Sequence, residues 1–120
     1  MGGQKGEKVR RAIADADEAR TPDIVLAEIS RKYVREKVED ARVRSRLETV
    51  ESTTLVTPVD INIAVKAGGA FLELAEKARR ERRRSPSLFD AIVLATARTY
   101  DSRVITGDEH FEGLPETILI

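Results

Sequence analysis

Two carboxylates, Asp90 and Asp108, stand where their surroundings would let them do chemistry, and a third, Glu28, lies at the edge of an apolar helical stripe. Asp90 is the only acid in the apolar run from Leu88 to Tyr100, and it falls in the first turn of the helix that this run predicts. Asp108 follows Gly107, just past a strand predicted for Arg103 to Thr106. A helix that runs into a buried strand ending on a carboxylate is a common way to build a site in an α/β sheet, outside the carboxyl ends of the strands. Carboxylates without Cys or a convincing His favour hard cations. Mg²⁺ and Mn²⁺ take oxygen ligands and keep waters for substrate phosphates, which suits phosphodiester hydrolysis. The sole histidine, His110, is expected in a loop. No Ser-His-Asp arrangement, glycine-rich phosphate loop or zinc-ligand spacing occurs.

Each acid also has a structural use. Ser87 and Asp90 have the spacing of a capping box. Asp108 can serve a turn after glycine. Glu28 can pair with Lys32 one helical turn on.

The stretches DAIVLATA and VITGDEHF, a short gap apart, resemble the C-terminal half of a PIN domain, most closely that of VapC-type toxins and their archaeal relatives. TPDIVLAEI, Thr21 to Ile29, resembles the second motif of that family, with Glu28 on its acid. The resemblance covers Lys8 to Ile120. It implies an α/β fold, a three-layer sandwich with a parallel sheet flanked by helices. It also implies metal-dependent cleavage of single-stranded RNA. Asp90 and Asp108 would then be ligands of Mg²⁺ or Mn²⁺, Glu28 a ligand through water or a base, and Thr106 a hydroxyl that orients the site. The implied partners are an RNA substrate, a cognate antitoxin and a second copy of the chain.

PIN domains of this kind begin with an apolar strand ending in Asp. This sequence opens Met1-Gly2-Gly3-Gln4-Lys5-Gly6, without such a run. The first strand is therefore expected to be missing, and cleavage by residues 1–120 to be impaired. The alternative is a non-catalytic PIN-like scaffold that binds RNA or a partner. A third reading is a structural subunit of an oligomer.

Composition bounds these readings. A chain of 120 residues with 41% hydrophobic side chains can bury one core, so a single domain is expected over 7–120, after a flexible 1–6. Lys plus Arg and Asp plus Glu number 21 each, so no global basic field draws in nucleic acid. The absence of Cys excludes disulfides and thiolate metal sites and suits a cytoplasmic protein. No run is long enough to span a membrane, and no signal peptide is visible.

The elements that must position the acids follow in order. A helix is expected from Glu7 to about Ala19. Thr21-Pro22-Asp23 carries the signals of a helix start, with Thr21 as cap, and that helix should run to about Lys37 and bury Val25, Leu26, Ile29 and Tyr33. Another is expected from Glu39 to Val50, with Val43, Leu47 and Val50 inward. Leu55 to Val59 reads as a short buried strand, and Asp60 as the cap of a long helix from Ile61 to about Arg83. Gly68-Gly69 within that helix predicts close packing against a neighbouring helix. Arg79, Arg80, Arg82, Arg83 and Arg84 suit the carboxyl end of a helix, or a phosphate backbone. A last strand is expected from Thr117 to Ile120. Helical crossovers between strands predict parallel pairing.

Overall fold

The computed structural model describes residues 7, 11, 19–102, 104–106, 113–115 and 117–119, with side chains left out at 104–106 and 117–119. The architecture is α/β with parallel strand pairing, as expected. The described residues divide into two compact units, one within Ala16–Pro58 and one formed by those outside it. None of the described helices is long and apolar enough to cross a membrane.

In the first unit, β1 (Arg20–Pro22) pairs in parallel with β2 (Leu55–Thr57), and α1 (Asp23–Arg35) and α2 (Asp40–Thr53) form the crossover between them. The strand at Arg20–Pro22 corrects the expectation that Thr21 caps a helix. Thr21 pairs with Val56 across the ladder, and its hydroxyl lies 2.7 Å from that of Thr54. Pro22 ends the strand, and its fixed φ of -57° starts the helix without any side-chain cap. Such a short strand shows no alternation, so the helix-start residues dominate its sequence signal.

The inner face of α1 is only half-buried. Val25, Leu26, Ile29 and Tyr33 keep some exposure, and no residue of the helix is fully buried. On α2, Val43 is buried, while Leu47 and Val50 are half-buried. The Arg46 guanidinium lies over the Tyr33 ring, 4.8 Å from its centroid, and donates to the phenol oxygen at 2.8 Å. This contact joins α1 to α2. Leu55, expected in a buried strand, is 48% exposed, and β2 buries only Thr57 at its end.

In the second unit, α3 (Ile61–Arg80) and α4 (Leu88–Thr99) pack together, and β3 (Val104–Thr106) pairs in parallel with β4 (Thr117–Leu119). Asp60 caps α3 as expected, its Oδ1 accepting from the backbone of Ile63 at 2.9 Å. The core is the seam between the two helices. Ala70 and Leu74 of α3 meet Ala91, Leu94 and Ala97 of α4, with Phe71, Val93 and Leu114 against them. The alanines keep the seam thin, and Leu74 and Leu94 fill it with almost no exposure. At the rim, Arg98 of α4 donates both guanidinium arms to Glu73 of α3, at 2.6 and 2.8 Å.

Gly68 and Gly69 do not serve this seam. A Cβ added at either would meet nothing within 4 Å, so both lie open on the outer side of α3. Relative to alanine, two glycines in a helix interior cost roughly 2 kcal/mol. No contact among the described residues accounts for them. Glu7 and Arg11 are helical, and the rest of the first expected helix lies outside the described residues.

Candidate functional site

Asp90 is placed by the start of α4. Ser87 has extended backbone, and its Oγ accepts from the amide of Asp90 at 3.2 Å. The Asp90 Oδ2 accepts in return from the amide of Ser87 at 2.9 Å. This reciprocal pair satisfies two amides that a helix N-terminus would otherwise leave without partners. It also fixes the carboxylate rotamer. Only Oδ2 is used: no described residue donates to Oδ1. Asp90 is 8% exposed, and beneath it Ala91, Leu94 and Ala95 close the core. The capping function read from the sequence is therefore present, and it leaves one carboxylate oxygen without a donor among the described residues.

Glu28 sits on α1, and its Oε1 accepts from Nε and Nη2 of Arg31. The partner expected from the sequence was Lys32, so the pair spans three residues and not four. The Arg31 side chain is 61% exposed, which makes this a surface pair that water readily opens. Thr106 ends β3. Asp108 and His110 lie outside the described residues, as does the side chain of Thr106. Glu28 and Asp90 belong to different units. Among the described residues no three His, Cys, Asp or Glu side chains gather as a metal centre. Among the described residues the donor that Asp90 offers is a carboxylate oxygen, a hard donor of the kind that Mg²⁺ and Mn²⁺ take, and the sequence holds no thiol.

The arginine run ends α3. Glu81 accepts from the buried Lys77 at 3.0 Å and lies 3.5 Å from Nε of Arg83. That hydrogen bond, with the neighbouring cations, holds the Glu81 carboxyl below its ordinary range. Arg82 takes a left-handed φ of 55°, and the amide of Arg83 returns to the carbonyl of Ala78 at 2.8 Å, which closes the helix end. Arg79, Arg80, Arg82 and Arg84 are exposed. From there residues 85–87 lead to the start of α4, which carries Asp90 in its first turn. An open hollow of about 410 Å³ lies between α1 and α2, lined by residues such as Leu26, Val43 and Leu47, and none of the acidic candidates lines it.

Sequence reasoning missed the threonine pairing of Thr21 with Thr54. The only available signal was a hydroxyl-rich stretch, Ser52-Thr53-Thr54, which reads equally well as a helix stop.

The sequence model of the family described as PIN domain matches residues 2–116. Among solved structures, one described as a toxin-antitoxin complex from Klebsiella pneumoniae is similar to this chain. Its TM-score is 0.65 at 21% identity, and the match covers 98% of this chain and 84% of that one. At that identity the likeness is one of fold. No curated protein matches the sequence.

Proposed function

The chain belongs to the PIN domain family, and from that membership we propose that it is a VapC-type endoribonuclease that depends on Mg²⁺ or Mn²⁺ and cuts single-stranded RNA in the cytoplasm. Asp90 and Asp108 are the proposed ligands, Glu28 a further ligand through water or the base, and Thr106 the hydroxyl that orients them. The observation that best supports this reading is the division of labour within the Asp90 carboxylate. Oδ2 is fixed by the Ser87 amide, and Oδ1 is held still with no described donor. A ligand oxygen must be prepositioned, and a capping box does that at no cost to the helix.

When bound, the cation supplies activation of water and stabilisation of the leaving oxygen. The chain's own residues do the rest. Asp90 and Asp108 contribute charge and oxygen donors. Glu28, released from Arg31, takes or relays a proton. The exposed arginines at 79, 80, 82 and 84 attract the RNA backbone toward the start of α4. A toxin-antitoxin complex as fold neighbour supports a small antitoxin protein as the partner that restrains the nuclease.

The test is a thermal melt with and without Mn²⁺. A ligand that binds only the folded state raises Tm. Mn²⁺ should raise the Tm of the wild-type chain and not that of Asp90→Asn, and equal shifts in both would count against the site. A non-catalytic scaffold is the second reading, favoured by one observation: Glu28 is engaged by Arg31.

A further inference from the structure

Lys77 is only 7% exposed, although it stands in the last turn of α3 among cations that reach solvent. Its neighbours Arg79, Arg80, Arg82 and Arg84 are all exposed. Burying an ammonium takes it out of water, a cost that a partner must offset. That partner is Glu81, which follows α3 and accepts from Lys77 Nζ at 3.0 Å. Glu81 is the only acid from Lys77 to Phe89, so it is the one anion that the arginine run carries within itself. Nε of Arg83 lies 3.5 Å from it. Among the described residues the side chains of Arg79, Arg80 and Arg82 have no hydrogen-bond or ion-pair partner.

A carboxylate inside an arginine run pairs with an arginine unless something holds it elsewhere. An arginine fork offers it two parallel hydrogen bonds, where an ammonium offers a single point of charge. Arg80 is near enough to act on it: the Lys77 hydrogen bond is the main reason that the Glu81 carboxyl lies below its ordinary range, and the charges of Lys77, Arg83 and Arg80 add to this. Lys77 prevails because it sits one helical turn back, where residues four apart are neighbours, and because its buried stem leaves the ammonium little choice of partner. The backbone around Glu81 is fixed as well. Arg82 takes the left-handed φ of 55°, and the amide of Arg83 returns to the carbonyl of Ala78. With Glu81 turned to Lys77, the exposed arginines keep their charge for an anion from outside.

We infer that Lys77 is a positioning residue for RNA binding: it holds the Glu81 carboxylate away from the exposed arginines, which then present their charge to the phosphate backbone. Lys77 itself is buried and touches no RNA. The inference rests on the reading that these arginines attract RNA, and it adds the residue that keeps them available.

The test is the affinity of the full chain for a labelled single-stranded RNA, read by fluorescence anisotropy in EDTA so that binding is separated from cleavage. Lys77→Met keeps a buried stem and removes the ammonium. It should weaken binding about fivefold or more, because Glu81 then neutralises an arginine. Glu81→Gln alone should change the affinity by less than about twofold, since Lys77 already holds that carboxylate, and the double variant should return to within about twofold of wild type. Lys66→Met makes the same charge change at an exposed site about 16 Å away along α3, and should cost less than about twofold. Circular dichroism checks the helices, and Lys77→Leu takes the place of Lys77→Met if that variant does not fold. Four results overturn the inference: binding by Lys77→Met equal to wild type, an equal loss in Lys66→Met, a double variant as weak as Lys77→Met, or a gain in Glu81→Gln as large as the loss in Lys77→Met. Each of these leaves RNA attraction by the arginines standing. A wild type that binds no RNA in EDTA overturns both.

Discussion

Ser87 and Asp90 hold each other's backbone amides, Oδ2 of Asp90 accepting at 2.9 Å and Oγ of Ser87 at 3.2 Å. A cap and a metal ligand are often posed as rivals for one aspartate. Here the cap engages Oδ2 alone, and Oδ1 is the oxygen proposed for the cation. The two functions should separate by mutation. Asp90→Asn keeps an acceptor for the Ser87 amide and removes the charge, so Tm should change little while the Mn²⁺ response disappears. Asp90→Ala should lose both, with a stability cost of about 1 kcal/mol. Ser87→Ala should cost a similar amount and leave the Mn²⁺ response in place. Denaturant melts with and without Mn²⁺ read all three.

The Glu73–Arg98 pair predicts a pH dependence. The Arg98 hydrogen bonds hold the Glu73 carboxyl below its ordinary value, against a smaller upward push from burial. A lowered pKa in the folded state gives stability that is present above the unfolded value and lost as pH falls through the folded value. Glu73→Gln should therefore destabilise at neutral pH by less than about 1 kcal/mol, because the pair is partly exposed. The difference from wild type should shrink as the pH drops below the usual glutamate range. Melts at pH 7 and pH 3 would show it, and a difference that grows in acid would refute the pairing.

Leu94 has no exposure and stands at the centre of the α3–α4 seam. Leu94→Ala should cost about 2–5 kcal/mol, the range for a cavity in a packed core. A loss under about 1 kcal/mol would mean that the seam collapses around the gap.

Arg31→Ala tests whether Glu28 is restrained or merely parked. The pair is exposed, so its loss should shift stability by less than about 1 kcal/mol. If Glu28 serves as a base or ligand, freeing it should leave RNA cleavage unchanged or raised. A fall of tenfold or more would place Arg31 itself in the site.

The parts of the fold legible from sequence were those with strong local signals. The helix carrying Asp90 is apolar nearly all round, and Ala91, Leu94 and Ala95 are buried as that composition demands. The caps at Asp60 and Ser87 were readable because capping depends on residues three apart in the chain. The strand Arg20–Pro22 was not readable. It is three residues long and made of helix-start residues, and only its parallel partner Leu55–Thr57 makes it a strand. Glu28 was placed on its helix but given the wrong neighbour, since Lys32 and Arg31 both lie within a turn and rotamers decide between them. Gly68 and Gly69 pointed to close packing against a neighbouring helix, and among the described residues no such neighbour lies within 4 Å of a Cβ added at either.

The central claim is that these acids hold a divalent cation that cleaves RNA. The direct measurement is cleavage of a labelled single-stranded RNA by the protein, with Mn²⁺ and with EDTA. It is repeated for Asp90→Asn and Asp108→Asn. The account predicts cleavage with Mn²⁺ that EDTA abolishes and that each substitution abolishes while the melts show a folded protein. Cleavage that survives EDTA, or that runs at full rate in both variants, would contradict it and leave Asp90 as a helix cap alone.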